Sequence, residues 1–574
     1  LEPFAAEGAN VLGRTGAQYF VEFLHQSGVE YLFGNPGTTE LPINDALLDS
    51  PVRYILALQE IPAVAMADGY AQARGSVALV NLHISCGLGN AMGMLYNAFR
   101  AGTPLVLTAG QQDQRFLHSD PILWGDMVSV TRPWTKWSTE VRTARELPRI
   151  LRRAIQLAQT PPTGPVFLSL PLDVQTAQLP EAAIEPPANP PALPVLPPAE
   201  AIRSAAERLA AARNPAIVLG SKPLKTPGIQ AVCAIAERLG APVFHEPYYS
   251  HGRCNFPAGH PLAGGLLPFW APDIRRFLGQ FDVLLAVGVK LFEEYIYHGD
   301  VAAVPESMCL VQVDNDPAEI NKNYRTAIGL VGILPEVLMA LARELENLSI
   351  DEGLVQGRSQ NWRDCIAASR RKLRSQAQAE LQLQPMTPLA MLETLARVLP
   401  PNAAVVEEAP TTSGSYFERV GLLPTTEGFF AQRGWALGWG LGFAVGVRLA
   451  WPDRPVLALL GDGAALYGIQ GLWTAAHYRI PVTFVVANNH QYAILKDCGQ
   501  VLRLPGALQG RYEGLDLVEP NIDYVKLAEA FGVQATRVDS AEGLAESVTQ
   551  AFRAEEPTLI EVPVTGSRLE VGSP

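Results

Sequence analysis

The chain of 574 residues is 48% hydrophobic and 18% charged, which at roughly 100–200 residues per domain gives about three or four domains and excludes both a single small module and a disordered chain. Its 57 acidic against 44 basic side chains leave a net charge of −13 with no run of five like charges, which excludes a nucleic-acid footprint. The apolar stretch 434–447, bounded by Arg433 and Arg448, is short of the roughly 20 residues of a membrane helix; with no secretion-signal pattern at Leu1-Glu2-Pro3, a cytoplasmic protein with no membrane partner is expected.

In chain order, the apolar runs Tyr31-Leu32-Phe33, Ala78-Leu79-Val80, Leu105-Val106-Leu107 and Val166-Phe167-Leu168 alternate with helical patterns over 15–27 and 60–74. That alternation predicts βαβ units and a parallel sheet in a first domain, 11–180. Eight prolines over 180–198 predict an extended, semi-rigid linker at 181–198. The runs Ile217-Val218-Leu219, Val243-Phe244, Val283-Leu284-Leu285-Ala286-Val287 and Leu310-Val311-Gln312-Val313, with helices at 199–211 and 226–239, predict a second domain, 199–345. A charged stretch near 357–383 reads as an exposed helix inside a connector, 346–386, that leads to Pro385 and Pro388.

Ala404-Val405-Val406, Val456-Leu457-Ala458-Leu459-Leu460, Val482-Thr483-Phe484-Val485-Val486 and Thr558-Leu559-Ile560-Glu561-Val562 predict a third domain, 387–566. The fold class expected is therefore α/β, three doubly wound parallel-sheet domains in series, with ligands at the C-terminal ends of strands. Six scattered cysteines without a C-x-x-C pair predict neither a disulfide framework nor a zinc site.

Two strands of the third domain end in residues suited to chemistry. The run 456–460 leads into Gly461-Asp462-Gly463-Ala464-Ala465, and the run 482–486 into Ala487-Asn488-Asn489-His490-Gln491-Tyr492. Glycine on each side of Asp462 lets backbone amides approach a diphosphate, while the carboxylate offers Mg²⁺ a hard oxygen. Asn489 adds an amide oxygen and the turn at Gln491 a backbone carbonyl. Either motif alone is an ordinary turn. Here each follows a buried strand, and the two stand 27 residues apart, the spacing of a right-handed crossover between neighbouring strands.

G-D-G followed by N-N at this distance resembles the metal and diphosphate motif of thiamine-diphosphate-dependent enzymes, and the resemblance covers nearly the whole chain. It implies a pyrimidine-binding first domain, a central domain and a diphosphate-binding third domain, with thiamine diphosphate and Mg²⁺ as cofactors. By the same resemblance Asp462, Asn489 and Gln491 would hold the metal. Thr411, Gly463, Ala464, Tyr492 and Ile494 would line the cofactor. In Gly434-Trp435-Ala436-Leu437-Gly438, Leu437 would be the wedge that bends it, and the Trp435 carbonyl would accept from its pyrimidine amine. Glu60, at the head of a helix, would protonate the pyrimidine ring. The family places that glutamate and the metal motif on different subunits, which implies self-association as a homodimer or homotetramer.

Within the family, longer identities resemble the benzoylformate decarboxylases: Gly34-Asn35-Pro36-Gly37-Thr38-Thr39-Glu40-Leu41-Pro42, Tyr54-Ile55-Leu56-Ala57-Leu58-Gln59-Glu60, Asn81-Leu82-His83 and Gly89-Asn90-Ala91-Met92-Gly93. They imply a small-molecule 2-oxo acid substrate, with Thr38 holding its carboxylate and His83 relaying protons. The chain departs from that subgroup in three places. Tyr295 stands where a second histidine is expected, with His298 three residues on. Ile494 is larger than the residue usual there, and Cys498 replaces a phenylalanine. These departures suit a carboligase or acetolactate-synthase-like activity on aldehydes as the alternative. The central domain has no glycine-rich dinucleotide fingerprint, and whether it holds a nucleotide such as FAD is open.

Overall fold

In the computed structural model, residues 13–179, 196–249 and 251–566 are described. Most of the expected proline-rich linker, 181–195, lies outside them. The chain divides into two compact units, 1–191 and 192–574.

The first unit is built on a six-stranded sheet of β1 (Tyr31–Asn35), β2 (Arg53–Leu56), β3 (Ala78–Leu82), β4 (Leu105–Gln111), β5 (Trp137–Glu140) and β6 (Val166–Pro171), in the order β2-β1-β3-β4-β6-β5. Every pairing is parallel. Strands β3, β4 and β6 are buried along their whole length, which is why they read as continuous apolar runs rather than alternating ones. Helices α1 (Glu60–Arg74) and α2 (Ile84–Ala101) each follow a strand and end in a left-handed glycine, Gly75 and Gly102.

The second unit holds two further parallel sheets. Its central part has β7 (Pro215–Leu219), β8 (Val243–His245), β9 (Ala263–Leu266), β10 (Val283–Val287), β11 (Cys309–Asp314) and β12 (Ile328–Val331), in the order β9-β8-β7-β10-β11-β12. Its C-terminal part has β13 (Ala404–Glu408), β14 (Phe429–Ala431), β15 (Val456–Gly461), β16 (Thr483–Asn488), β17 (Gln534–Arg537) and β18 (Thr558–Pro563), in the order β14-β13-β15-β16-β18-β17. The first and last sheets are therefore wound in the same order.

Between these two sheets runs α3 (Glu352–Glu380), capped by Asp351, whose side chain accepts from the Leu354 amide. It begins five residues before the charge pattern suggests, because the cap lies outside the charged run, and it is largely exposed, as expected, with Arg358, Trp362, Ile366 and Ala377 buried. Trp362 stacks on Phe281 with ring centroids 5.5 Å apart, and the Arg358 guanidinium donates to the carbonyls of Leu239, Ala212 and Arg213. The charged residue is thus buried as a donor to helix and turn ends, which a reading of charge as solvent exposure misses.

Polar contacts fasten the central part to the C-terminal part. The Asn255 amide donates to His245 Nε2 at 3.0 Å, so Nδ1 carries the proton and donates to Glu418 Oε1 at 2.6 Å. Arg433 reaches Ser221 at 2.9 Å and Glu246 at 2.5 Å, and Trp435 Nε1 donates to the Tyr249 carbonyl at 3.0 Å. The segment that follows Arg433 is thereby held against the central sheet.

Candidate active site

In the first unit the residues of interest gather at the C-terminal ends of β1 and β3, where the strand order reverses. The chain leaves β1 at Asn35 and passes Gly37 into a short 3₁₀ turn, Thr38–Glu40. Thr38 is exposed, while Thr39 and Glu40 are buried. Glu40 Oε1 accepts from the amides of Ile84 at 3.1 Å and Gly110 at 2.8 Å and from the Thr39 hydroxyl at 2.8 Å. Its Oε2 accepts from the Gly37 amide at 2.9 Å.

The remaining contact of Glu40 is His83, whose Nδ1 lies 3.0 Å from Oε2. A carboxylate only accepts, so Nδ1 bears the hydrogen and Nε2 is left to take or give a proton. The loop can pass the ring only as glycine, since a Cβ on Gly37 would sit 1.8 Å from His83 Nδ1. Ile84, next to His83, has φ 31°, an unfavourable backbone for a β-branched residue. The hydrogen bond its backbone N–H donates to Glu40 and its complete burial hold it there.

Glu60 opens α1 and is 5% exposed. Asn35 donates to its Oε1 at 3.2 Å and Asn90, from α2, to its Oε2 at 3.0 Å. A Cβ on Gly87 would meet Oε1 at 2.8 Å, so α2 packs its backbone against the carboxyl group. Asn35, Glu40 and Asn90 lie within the segments that carry the resemblance, yet their roles are visible only through these contacts.

In the second unit β15 ends beside β16, with Gly461 paired to Ala487, which brings the two motifs together. Asp462 opens the helical turn α4 (Asp462–Leu466) and is 4% exposed. Its Oδ1 accepts from the Gly463 amide at 2.8 Å, and its Oδ2 has no hydrogen-bond partner among the described residues. Burial pushes the carboxyl group up, against the pull of the Gly463, His490 and Asn489 amides. Of the two asparagines, Asn488 is committed to packing: it donates to Glu561 at 2.8 Å and accepts from the His490 amide at 3.2 Å. Asn489 Oδ1 accepts from the Gln491 amide at 3.1 Å, shaping the turn that carries the Gln491 carbonyl.

A buried carboxylate oxygen without a partner among the described residues, beside an asparagine oxygen and a glycine turn, is a hard-oxygen donor set that fits Mg²⁺. Ala464, two residues past Asp462, is buried, as is Thr411, three residues past β13, the strand that pairs with β15. The Tyr492 ring lies where any Cβ on Gly463 would come, 2.5 Å from its Cε1.

The segment 435–438 leads into α5 (Trp439–Ala450). Trp435 has φ 63° and Gly438 φ 94°, and Leu437 is half-buried. The buried Glu408, last residue of β13, takes the amides of Gly438 at 3.0 Å, Trp439 at 3.0 Å and Gly440 at 2.7 Å.

Tyr295 and His298 follow β10 and take different neighbours. The Tyr295 ring lies 5.7 Å from that of Trp435 and 6.2 Å from that of Phe269. Burial and the thiol of Cys498, in α6 (Ala493–Val501) with the half-buried Ile494, raise its phenol. His298 instead lies 5.0 Å from Trp270, with Nδ1 2.8 Å from the Ile296 carbonyl. Tyr295, not His298, is thus the one that meets the Trp435 segment.

Comparison with known proteins shows the family. Family profiles described as thiamine pyrophosphate enzyme N-terminal TPP binding, central and C-terminal TPP binding domains match residues 14–130, 202–341 and 422–562. The chain is 36% identical over 550 residues to a benzoylformate decarboxylase of Pseudomonas aeruginosa, covering 94% of this chain and 97% of that protein. It is 27% identical to a probable acetolactate synthase large subunit of Methanocaldococcus jannaschii, over 96% of this chain and 92% of that one. Among solved structures, a thiamine diphosphate-dependent 4-hydroxybenzoylformate decarboxylase of Rhodococcus jostii RHA1 superposes with a TM-score of 0.84 at 32% identity, over 96% of this chain and 99% of that one. A benzoylformate decarboxylase of Polynucleobacter necessarius gives 0.84 at 29% identity, over 97% and 99%. With all three domains matched in order, the chain belongs to the thiamine pyrophosphate enzymes.

Proposed function

We propose that this protein uses thiamine diphosphate and Mg²⁺ to decarboxylate a 2-oxo acid to an aldehyde without oxidation, as its benzoylformate decarboxylase relatives are named for doing. The observation that carries this reading is the His83–Glu40 pair, a proton-relay imidazole with its tautomer fixed at the end of a strand. Thiamine diphosphate supplies, when bound, the electron sink that accepts the bonding pair as CO₂ leaves.

The chain's own residues supply the rest. Asp462 Oδ2, the Asn489 side chain and the Gln491 carbonyl would hold Mg²⁺, with Gly463, Ala464 and Thr411 against the diphosphate. Glu60, oriented by Asn35 and Asn90, would hold the proton given to the pyrimidine ring. Thr38 would bind the substrate carboxylate, and His83 Nε2 would deliver and remove protons at the product carbon and oxygen. Tyr295, Trp435, Leu437, Tyr492 and Ile494 would form the wall around the cofactor and the acyl group.

Self-association as a homodimer or homotetramer belongs to this reading. Leu48, Ile122 and Trp124 are 80%, 82% and 42% exposed in the first unit, apolar surface suited to a second copy. A cytoplasmic location fits the six free cysteines. Among the described residues no helix is long and apolar enough to cross a membrane.

A second reading, a carboligase forming or cleaving 2-hydroxy ketones, is favoured by Tyr295 in place of a second histidine. Product analysis separates the two, using purified protein with thiamine diphosphate and Mg²⁺ and, in turn, benzoylformate, pyruvate and a branched 2-oxo acid, each with and without an acceptor aldehyde. CO₂ and free aldehyde are expected. Hydroxy ketone formed from or cleaved to aldehydes, with no decarboxylation of any acid, would move the assignment to the carboligase.

A further inference from the structure

Glu408 is 2% exposed and belongs to none of the functional motifs, yet four donors converge on it. Oε1 accepts from the amides of Gly438 and Trp439, both at 3.0 Å, and from Gln432 Nε2 at 3.2 Å. Oε2 accepts from the Gly440 amide at 2.7 Å. Gln432 Nε2 also donates to the Ala436 carbonyl, so one amide group joins both ends of the 435–440 turn to the same carboxylate.

The turn is one the chain would not adopt unaided. Trp435 lies in the left-handed region at φ 63°, which is costly for a bulky residue and persists only where the surroundings fix it. On its other side the turn is pressed by Gly468, where a Cβ would come within 2.4 Å of the Gly438 carbonyl oxygen. The carboxylate approaches so closely that a Cβ on Gly440 would stand 2.8 Å from Glu408 Cβ and 3.1 Å from Oε2.

We propose that Glu408 is a positioning residue for the reaction: by taking the Gly438, Trp439 and Gly440 amides it fixes the conformation in which the Trp435 carbonyl and the Leu437 side chain serve the pyrimidine of thiamine diphosphate. The proposal rests on the functional reading above. A role confined to capping α5 would use the amides alone; the Gln432 bridge to the Ala436 carbonyl extends the network past the helix into the turn.

The test compares wild type with Glu408→Gln, which keeps the size but turns an NH₂ group toward amide donors, and with Gln432→Leu, which leaves Glu408 and the helix cap in place. Three quantities are read: amide hydrogen exchange over 436–440 in the apoprotein, affinity for thiamine diphosphate with Mg²⁺, and the near-ultraviolet circular dichroism of the bound aminopyrimidine and its imino tautomer. Both variants are expected to exchange at least tenfold faster over 436–440, to bind the cofactor at least tenfold more weakly, and to lose most of the imino dichroism at saturation. Should Glu408→Gln fail to fold, Gln432→Leu decides. Faster exchange or a lower melting temperature with unchanged affinity and dichroism overturns the proposal and leaves a helix cap. Wild-type protein that binds no thiamine diphosphate overturns the functional reading instead, and the proposal with it.

Discussion

The Nδ1 atom of His83 lies 3.0 Å from Oε2 of Glu40, a carboxylate fully buried beneath the loop that follows β1. The same carboxylate holds the Gly37, Ile84 and Gly110 amides, so the histidine's ring, its backbone and the neighbouring loop share one anchor.

Replacing Glu40 by Gln should therefore cost catalysis more than binding. A fixed tautomer is part of the value of a relay histidine, and general acid–base catalysis contributes about 10²–10⁴-fold. Turnover on benzoylformate is expected to fall about a hundredfold, with thiamine diphosphate affinity changed less than about threefold. Steady-state kinetics together with a cofactor titration check this; an unchanged turnover would remove His83 from the proton relay.

Asp462→Asn should uncouple the metal. The buried Oδ2 of Asp462 has no hydrogen-bond partner among the described residues, and losing its charge should weaken Mg²⁺-dependent cofactor binding by more than about a hundredfold, beyond the 10–100-fold that outer partners of a metal site carry. Calorimetric titration of the variant at several Mg²⁺ concentrations measures it. Treatment of the wild type with a chelator should abolish activity, and added Mg²⁺ restore it.

Tyr295 and Trp435, with rings 5.7 Å apart, would form the wall opposite the acyl group. Tyr295→Ala should raise KM for benzoylformate about tenfold and for pyruvate about twofold or less, since aromatic contacts contribute about 0.5–1.5 kcal/mol beyond area burial. Tyr295→Phe keeps the ring and should leave the aromatic preference intact. The ratio of kcat/KM values across the two acids is the measurement, and equal losses on both would place Tyr295 outside the substrate wall.

Glu407 should give stability a pH dependence. It is fully buried, and desolvation pushes it up to about 8, with the Glu418 charge adding to the rise and the Ser413 hydroxyl opposing it. The folded chain thus holds a proton that the unfolded chain releases near pH 4.5. Stability should be greatest from this group at low pH and decline as pH rises toward 8, by roughly 5 kcal/mol at most. Glu407→Gln should flatten that decline. Denaturant unfolding at pH 6 and pH 9 of both proteins checks it; equal slopes would show that Glu407 is ionised in the fold.

What the residues made legible, and what they did not, follows from burial. Strands such as β4 and β15 sit between two layers of helices and show as apolar runs. Edge strands do not: β5, Trp137–Glu140, is half-buried throughout, β9 is Ala263-Gly264-Gly265-Leu266, and β17, Gln534–Arg537, is largely polar. That Asp462 and Asn489 each directly follow a strand was readable from the apolar runs before them. Glu40 was not, since Thr39-Glu40 looks like a surface turn until the chain brings Ile84 and Gly110 to it from 44 and 70 residues away. Glu408 hid in the same way behind donors 30–32 residues distant. The choice between Tyr295 and His298 depends on irregular backbone after β10, where spacing carries no direction.

The shared winding of the first and third sheets has a consequence for how new activities could be sought in this chain. Counted in chain order within each sheet, the first strand ends in Asn35 and in Glu408, and the third is followed by His83 and by Asp462. One address in the topology holds an imidazole after one sheet and a buried carboxyl group after the other. A library that exchanges residue types between these matching addresses, rather than scattering changes over loops, would sample chemistry the scaffold already knows how to seat.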